Sequence, residues 1–336
     1  MKRMLLAAGF VVLAACEKKP PPPSERAAAV IPTAARVATF NPEQLTPFQP
    51  VPPGAMKPVL DESTRLGQML WFDARLSRGQ DVSCNSCHDL GRGGMDNEVV
   101  STGTKGHKTT HNTPTVLNAG ASFAQGWDAH ATTLEEFVPA HIADVFAAEH
   151  VADVVASIPS YAAAFTKAWP SDKLDTALVT RALVTFTKKL STRARWDRYL
   201  EGDATALSTE ELGGFAMFVA VGCPTCHQGK QLGAMDAQKL GIAKPWPGSL
   251  GLEPGMFKIP TLRNVWRSGP WLHDGSLATL EETTRLMARH QLGRELAAVQ
   301  VVAITAFLAT LDGDPAPELA QKPALPPSGT KTPKPG

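Results

Sequence analysis

The amino-acid sequence predicts a mainly α-helical protein with two domains between unstructured ends. Three observations carry that prediction. Apolar residues recur at helical spacing, while alternating strand-like runs are nearly absent. A C-x-x-C-H motif occurs once in each half of the chain, as "CNSCH" from Cys84 and "CPTCH" from Cys223. Both ends are rich in proline, which disfavours helix and sheet alike.

The elements follow in chain order. "MKRMLLAAGFVVLAAC" opens with Lys2 and Arg3, continues with an apolar stretch too short to span a bilayer, and ends at Cys16. Leu13-Ala14-Ala15-Cys16 resembles a bacterial lipobox, in which the cysteine is acylated and becomes the first mature residue; a soluble secretory signal is the alternative. Residues 1–15 are thus expected to be a signal peptide and 16–55 a proline-rich tether. The expected destination is the periplasm, with a lipid anchor at Cys16 holding the protein to a membrane. Glu17 does not favour inner-membrane retention, which points to the outer membrane. The domains are expected at 56–205 and 206–313, with a disordered tail over 314–336.

Within the first domain, "DESTRLGQMLWFDARL" and "LDTALVTRALVTFTKKL" repeat apolar residues at helical period. Capping-box spacing marks three helix starts: Thr133 with Glu136, Ser208 with Glu211, and Thr279 with Glu282. Leu207 and Leu212 flank the second as a hydrophobic staple. Apolar residues make up 43% of the chain, enough for two cores, and the net charge is +1. With no long basic run, a nucleic-acid partner is excluded.

Five cysteines are present. Cys16 belongs to the export signal, and Cys84, Cys87, Cys223 and Cys226 belong to the two motifs, leaving none for a structural disulfide. In C-x-x-C-H one turn of backbone brings two thiols and an imidazole to one face, so the thiols can add to a porphyrin's vinyl groups beneath an axial histidine. A zinc knuckle would take four ligands in a closed site, and a redox C-x-x-C has no need of the histidine twice. The reading is two covalent haem c groups, on His88 and His227, in two cytochrome c-like haem domains. The second axial position of each iron, filled by methionine, filled by histidine or left open, is not decided by composition.

Longer strings add to this. "LGQMLWFDARLS", "SCNSCHDLGRGGMDN", "STGTKGHKTTHNTPTVLNA" and "GWDAHATTLEE" in the first half, with "GCPTCHQGK", "FKIPTLRNVWRSGPWLHDGSLATLEE" and "MARHQLG" in the second, resemble the bacterial dihaem cytochrome c peroxidase family from about Leu60 to Leu311. The resemblance implies reduction of hydrogen peroxide with electrons from a small donor such as a cytochrome c or a copper protein, and a homodimer. It implies an electron-accepting C-terminal haem held by His227 and Met287, and a peroxide site at the haem on His88. Trp127 matches the tryptophan between the haems. Asn112, with the backbone oxygens of Ser268 and Pro270, matches an interdomain calcium site, and His273 a structural histidine beside it. The family's distal loop histidine falls on Thr104, a departure that implies an open iron needing no reductive activation. His107, three residues later in the loop, is the alternative distal ligand, and His111 is a loop histidine near a haem propionate. The family's acid–base glutamate aligns ambiguously, with Asp144 nearest in position and Glu149 keeping the residue type. Two rival readings are an enzyme oxidising side chains of a partner protein and a non-enzymatic electron carrier.

Overall fold

A computed structural model of the chain describes residues 42–146, 150–246 and 255–336. Its helices are α1 (Glu62–Trp71), α2 (Cys84–Cys87), α3 (Leu134–Phe146), α4 (Val151–Ser157), α5 (Pro159–Ala168), α6 (Thr176–Thr187), α7 (Arg195–Leu200), α8 (Thr209–Val221), α9 (Leu280–Leu292), α10 (Ala298–Leu308) and α11 (Pro317–Ala320). Two three-residue strands, β1 (Ala237–Lys239) and β2 (Met256–Lys258), pair antiparallel with Ala237 opposite Lys258. The mainly α expectation holds. Among the described residues, no helix is long and apolar enough to cross a membrane.

Each domain is organised around one close helix crossing, and in each a glycine permits it. At Gly67 on α1 a Cβ would collide with the carbonyl oxygen of Ala182 on α6; at Gly214 on α8 it would collide with that of Ala303 on α10. Around the first crossing, Leu66, Leu70, Val179, Leu183 and Phe186 form a buried core with Tyr161 and Phe165. Around the second, Trp196, Phe215, Phe218, Ile304 and Phe307 form another. Trp196 and Phe307 meet edge-on at 5.1 Å, a favoured aromatic geometry. Trp196 thus packs in the second core although it lies before residue 206.

The helix starts are capped as the spacing requires, with one shift. Ser208 and Glu211 form a reciprocal box on α8 (2.8 and 3.3 Å), and Thr279 Oγ1 accepts from the Glu282 amide; such caps contribute about 1 kcal/mol each. Thr133 accepts from the Glu136 amide, but the Glu136 carboxylate turns to Thr132, accepting from its amide and its hydroxyl.

The ends correct two expectations. Residues 42–55 are not a free tether. Phe48 is buried edge-on against Trp196 and Phe215 in the second core, and the Val51 amide donates to Asp197 (2.8 Å). The tail over 314–336 is not free either. It returns across the first domain, burying Ala316 and Leu319 among α1, α4 and α6 residues. Gln68 Nε2 donates to the carbonyls of Glu318, Leu319 and Gln321 (2.6–3.1 Å), Gln80 Nε2 to that of Pro333 (2.7 Å), and the Gly336 amide to that of Arg78 (3.0 Å). The physical reason is that proline lowers the entropy lost on ordering a segment, and these stretches carry enough apolar side chains to use it. The expected signal peptide and Cys16 lie outside the described residues.

Candidate functional site

Two cavities open beside the two C-x-x-C-H turns. The first, about 1070 Å³, is lined by Cys84, Cys87 and His88 with the α3 stripe Phe137, His141 and Val145. The second, about 1760 Å³, takes in Cys223, Cys226, His227 and Met287.

The two turns present the same chemistry. His88 Nδ1 lies 3.4 Å from the carbonyl of Gly94, and His227 Nδ1 lies 3.1 Å from that of Leu232. A carbonyl there fixes the proton on Nδ1 and leaves Nε2 as the free lone pair, the tautomer a metal-ligating histidine needs. Burial depresses both imidazoles, His88 to about 3, with the neighbouring His141 adding to the effect. Burial also pushes the Cys84 and Cys223 thiols up to about 12. The carbonyl that holds His227 is itself braced. Arg263 Nε donates to Lys230 O (2.7 Å) and Thr261 Oγ1 to Gln231 O (2.7 Å), pinning the loop that ends at Leu232.

The donor set fits a large flat group with anionic edges. Trp71 borders the first cavity with its ring 6.0 Å from His88, and its buried Nε1 has no hydrogen-bond partner among the described residues. Lys258, delivered by β2 into the wall common to both cavities, donates to the carbonyl of Ala124 (3.1 Å), and burial pushes its ammonium down to about 8 against the opposing charge of Asp128. A buried cation of this kind is suited to a cofactor carboxylate.

Pro114, Thr115 and Gly126 also border both cavities, and Trp127 stands next to Gly126. Trp127 Nε1 donates to the carbonyl of Asn112 (2.9 Å), and its own carbonyl accepts from the Lys258 amide (2.8 Å). The residue is therefore held by its indole and by its main chain in the partition. Asn112, Ser268 and Pro270 all line the second cavity. Asn112 is buried, with Nδ2 donating to the carbonyls of Glu98 (2.7 Å) and Val99 (3.3 Å) and its amide to that of His273. His273 packs beside Trp127 and Phe257.

The loop residues lie away from His88. Thr104 Oγ1 donates to Asp81 (2.8 Å) and accepts from the Gly79 amide (2.9 Å). His107 is exposed, and His111 packs toward His273 with ring centres 6.1 Å apart. Asp144 is exposed and does not line the cavity, because it falls outside the stripe of α3 residues 134, 137, 138, 141, 142, 145 and 146 that does. Glu149 lies outside the described residues. Among the described residues the first cavity's lining holds no carboxylate; it holds His141, with its ring centre 6.1 Å from that of His88. His141 was legible at its helical spacing, but a search confined to carboxylates passes over it.

Two thiol–thiol–imidazole turns, each opening on its own apolar cavity across a shared tryptophan-bearing partition, define a protein built to carry two redox cofactors. Residues 61–205 match the family model described as di-haem cytochrome c peroxidase. The chain is 40% identical to the cytochrome c551 peroxidase of Nitrosomonas europaea over 304 residues, covering 86% of this chain and 90% of that protein. It is 33% identical to the cytochrome c551 peroxidase of Pseudomonas aeruginosa, with 86% and 90% covered. A solved structure of a MauG-like protein associated with microbial copper homeostasis shares the fold, with a TM-score of 0.65 and 24% identity over 85% of this chain and 97% of that one. The chain belongs to the di-haem cytochrome c peroxidase family. It is accordingly an oxidoreductase of the peroxidase class that carries two haem c groups.

Proposed function

We propose that the protein reduces hydrogen peroxide to water with electrons from a small periplasmic redox protein, a cytochrome c or a copper protein. The observation that carries this reading is the pairing of two chemically matched histidine turns across one partition. Cys84, Cys87 and His88 would hold one haem, and Cys223, Cys226 and His227 the other. Bound haem supplies the one-electron chemistry that protein side chains lack.

Met287 faces the cavity of His227, which supports a closed, electron-accepting site there. Its thioether would complete the hold on that haem and favour the reduced state. Trp127, fixed by its indole bond to Asn112 and its main-chain bond from Lys258, would give an aromatic path through the partition, and the Lys258 ammonium would offset a cofactor carboxylate. The cavity of His88 is the peroxide site. Protons needed to make water reach it by way of His141, whose neighbour Asp144 lies on the solvent side and opposes the depression of the His141 pKa. Glu149 is proposed from the sequence for the same task. Asn112 with the carbonyls of Ser268 and Pro270 is proposed to hold one calcium ion at the domain junction. A lipid anchor at Cys16, attachment to the outer membrane and a homodimer complete the proposal.

The test is oxidation of a reduced small cytochrome c by hydrogen peroxide, run with fully oxidised and with half-reduced holoprotein. Turnover in either state supports the reading. Silence in both, with a copper-protein donor also inactive, refutes it.

A further inference from the structure

We propose that His141 is the second axial ligand of the N-terminal haem iron, opposite His88, so that this iron is closed at rest rather than open. The inference rests on the peroxide-site reading of the His88 cavity and adds to it the group that controls access.

Geometry is the main support. Two imidazoles bound to one metal, each nitrogen about 2.0 Å away and each ring centre roughly 1 Å further back, place their centres about 6 Å apart. The rings of His88 and His141 are 6.1 Å apart, and both border the same cavity. His88 cannot turn its Nδ1 inward without losing the Gly94 carbonyl, so the nitrogen it offers is Nε2. A water or peroxide held between the iron and a distal imidazole would need an added hydrogen-bond length of roughly 2.8 Å, and the observed spacing leaves no room for it.

The surroundings of His141 agree. Its ring stacks on Phe137, one helical turn earlier, at 5.3 Å and 19°, and Phe137 packs in turn on His130. Those contacts fix the ring plane without using its nitrogens, and no hydrogen bond to the ring is found among the described residues. The other ligating side chains on the cavity are committed: Cys84 and Cys87 to attachment, Lys258 to the Ala124 carbonyl. His107 and Thr104 lie in the outer loop. Pro139 sits inside α3 two residues before His141. It has no amide proton, so the Glu135 carbonyl loses its helical partner, and the turn bearing the ligand is less firmly tied than its neighbours. Release of His141 would vacate the iron for peroxide and free its imidazole to carry protons to the site.

The experiment is electron paramagnetic resonance of the fully oxidised dihaem protein at low temperature, with no peroxide present. Wild type is expected to give two low-spin ferric signals, one of them of the bis-imidazole class. His141→Gly should convert that one signal to high spin while the other is unchanged, and added imidazole should restore it; His107→Ala should change nothing. A high-spin signal equivalent to one haem in the wild type overturns the proposal, even if His141→Gly does not fold. So does retention of both low-spin signals in His141→Gly. Because haem content and spin state are read without turnover, a protein that carries the ligand but consumes no peroxide would refute the enzymatic reading alone.

Discussion

Asp197 and Arg263 form a fully buried ion pair, and replacing Asp197 with Asn should be among the most damaging single changes outside the haem sites. Both side chains have 0% exposure, and the guanidinium spans both carboxylate oxygens at 2.7 and 2.9 Å. The same carboxylate accepts from the amides of Val51 (2.8 Å) and Ala194 (2.7 Å), tying residues 42–55 and the start of α7 to the second domain. Asparagine keeps the shape but removes the charge, which leaves Arg263 buried without a counter-ion. Breaking such a pair costs about 3–5 kcal/mol. At about 2–4 °C per kcal/mol, the melting temperature should fall by roughly 6–20 °C. The control is the surface pair Lys167–Glu62, whose side chains are 72% and 40% exposed. Lys167→Ala should cost no more than about 1 kcal/mol. Thermal unfolding of both holoproteins, followed by circular dichroism, compares them directly. If Asp197→Asn melts no earlier than Lys167→Ala, the reasoning from burial and hydrogen-bond count is wrong.

Three other predictions concern different parts of the molecule. Met287→His should keep the C-terminal haem closed and lower its midpoint potential, because imidazole favours the oxidised iron relative to a thioether; redox titration measures the shift, and an unchanged potential would remove Met287 from the iron. Burial holds the Asp312 carboxyl at about 6 against an ordinary 3.8. The folded state therefore binds this proton more tightly than the unfolded one, and the stability it supplies is full below 3.8 and lost as the pH rises through about 6. The stability difference between wild type and Asp312→Asn should change by up to about 3 kcal/mol across that window and be flat above it, which denaturant titrations at several pH values would show. Leu319→Ala should destabilise the first domain by about 2–5 kcal/mol, although Leu319 lies outside that domain in sequence; a loss below about 1 kcal/mol would mean the tail is not docked in solution.

Much of the fold was legible because its signals are local. Leu66 and Leu70 on α1 and Leu183 and Phe186 on α6 stand at helical spacing, and Ser208 with Glu211 marks the start of α8 within four residues. The two haem motifs are legible for the same reason, since one turn of backbone contains all the chemistry. What was lost depends on partners far away in the chain. Proline-rich composition hides the docking of Phe48 on Trp196 and of Leu319 on the first core, because neither anchor shows its host. Asp144 was a candidate for its place in an alignment, yet the phase of α3 turns it outward and turns His141 inward. The glycine at 67 reads as a weak point in a helix until Ala182 is seen against it.

The two ends of the folded region are exchanged: residues 42–55 seal the second domain, and residues around 316–319 seal the first. A chain emerging amino end first cannot finish one domain before starting the other. The groove meant for Leu319 stays bare while nearly everything else is synthesised, and Phe48 waits just as long for Trp196 and Phe215. Such distant closures slow folding and leave apolar surface exposed meanwhile. For a protein that must be loaded with two large cofactors before it closes, that delay is the interval in which loading can occur.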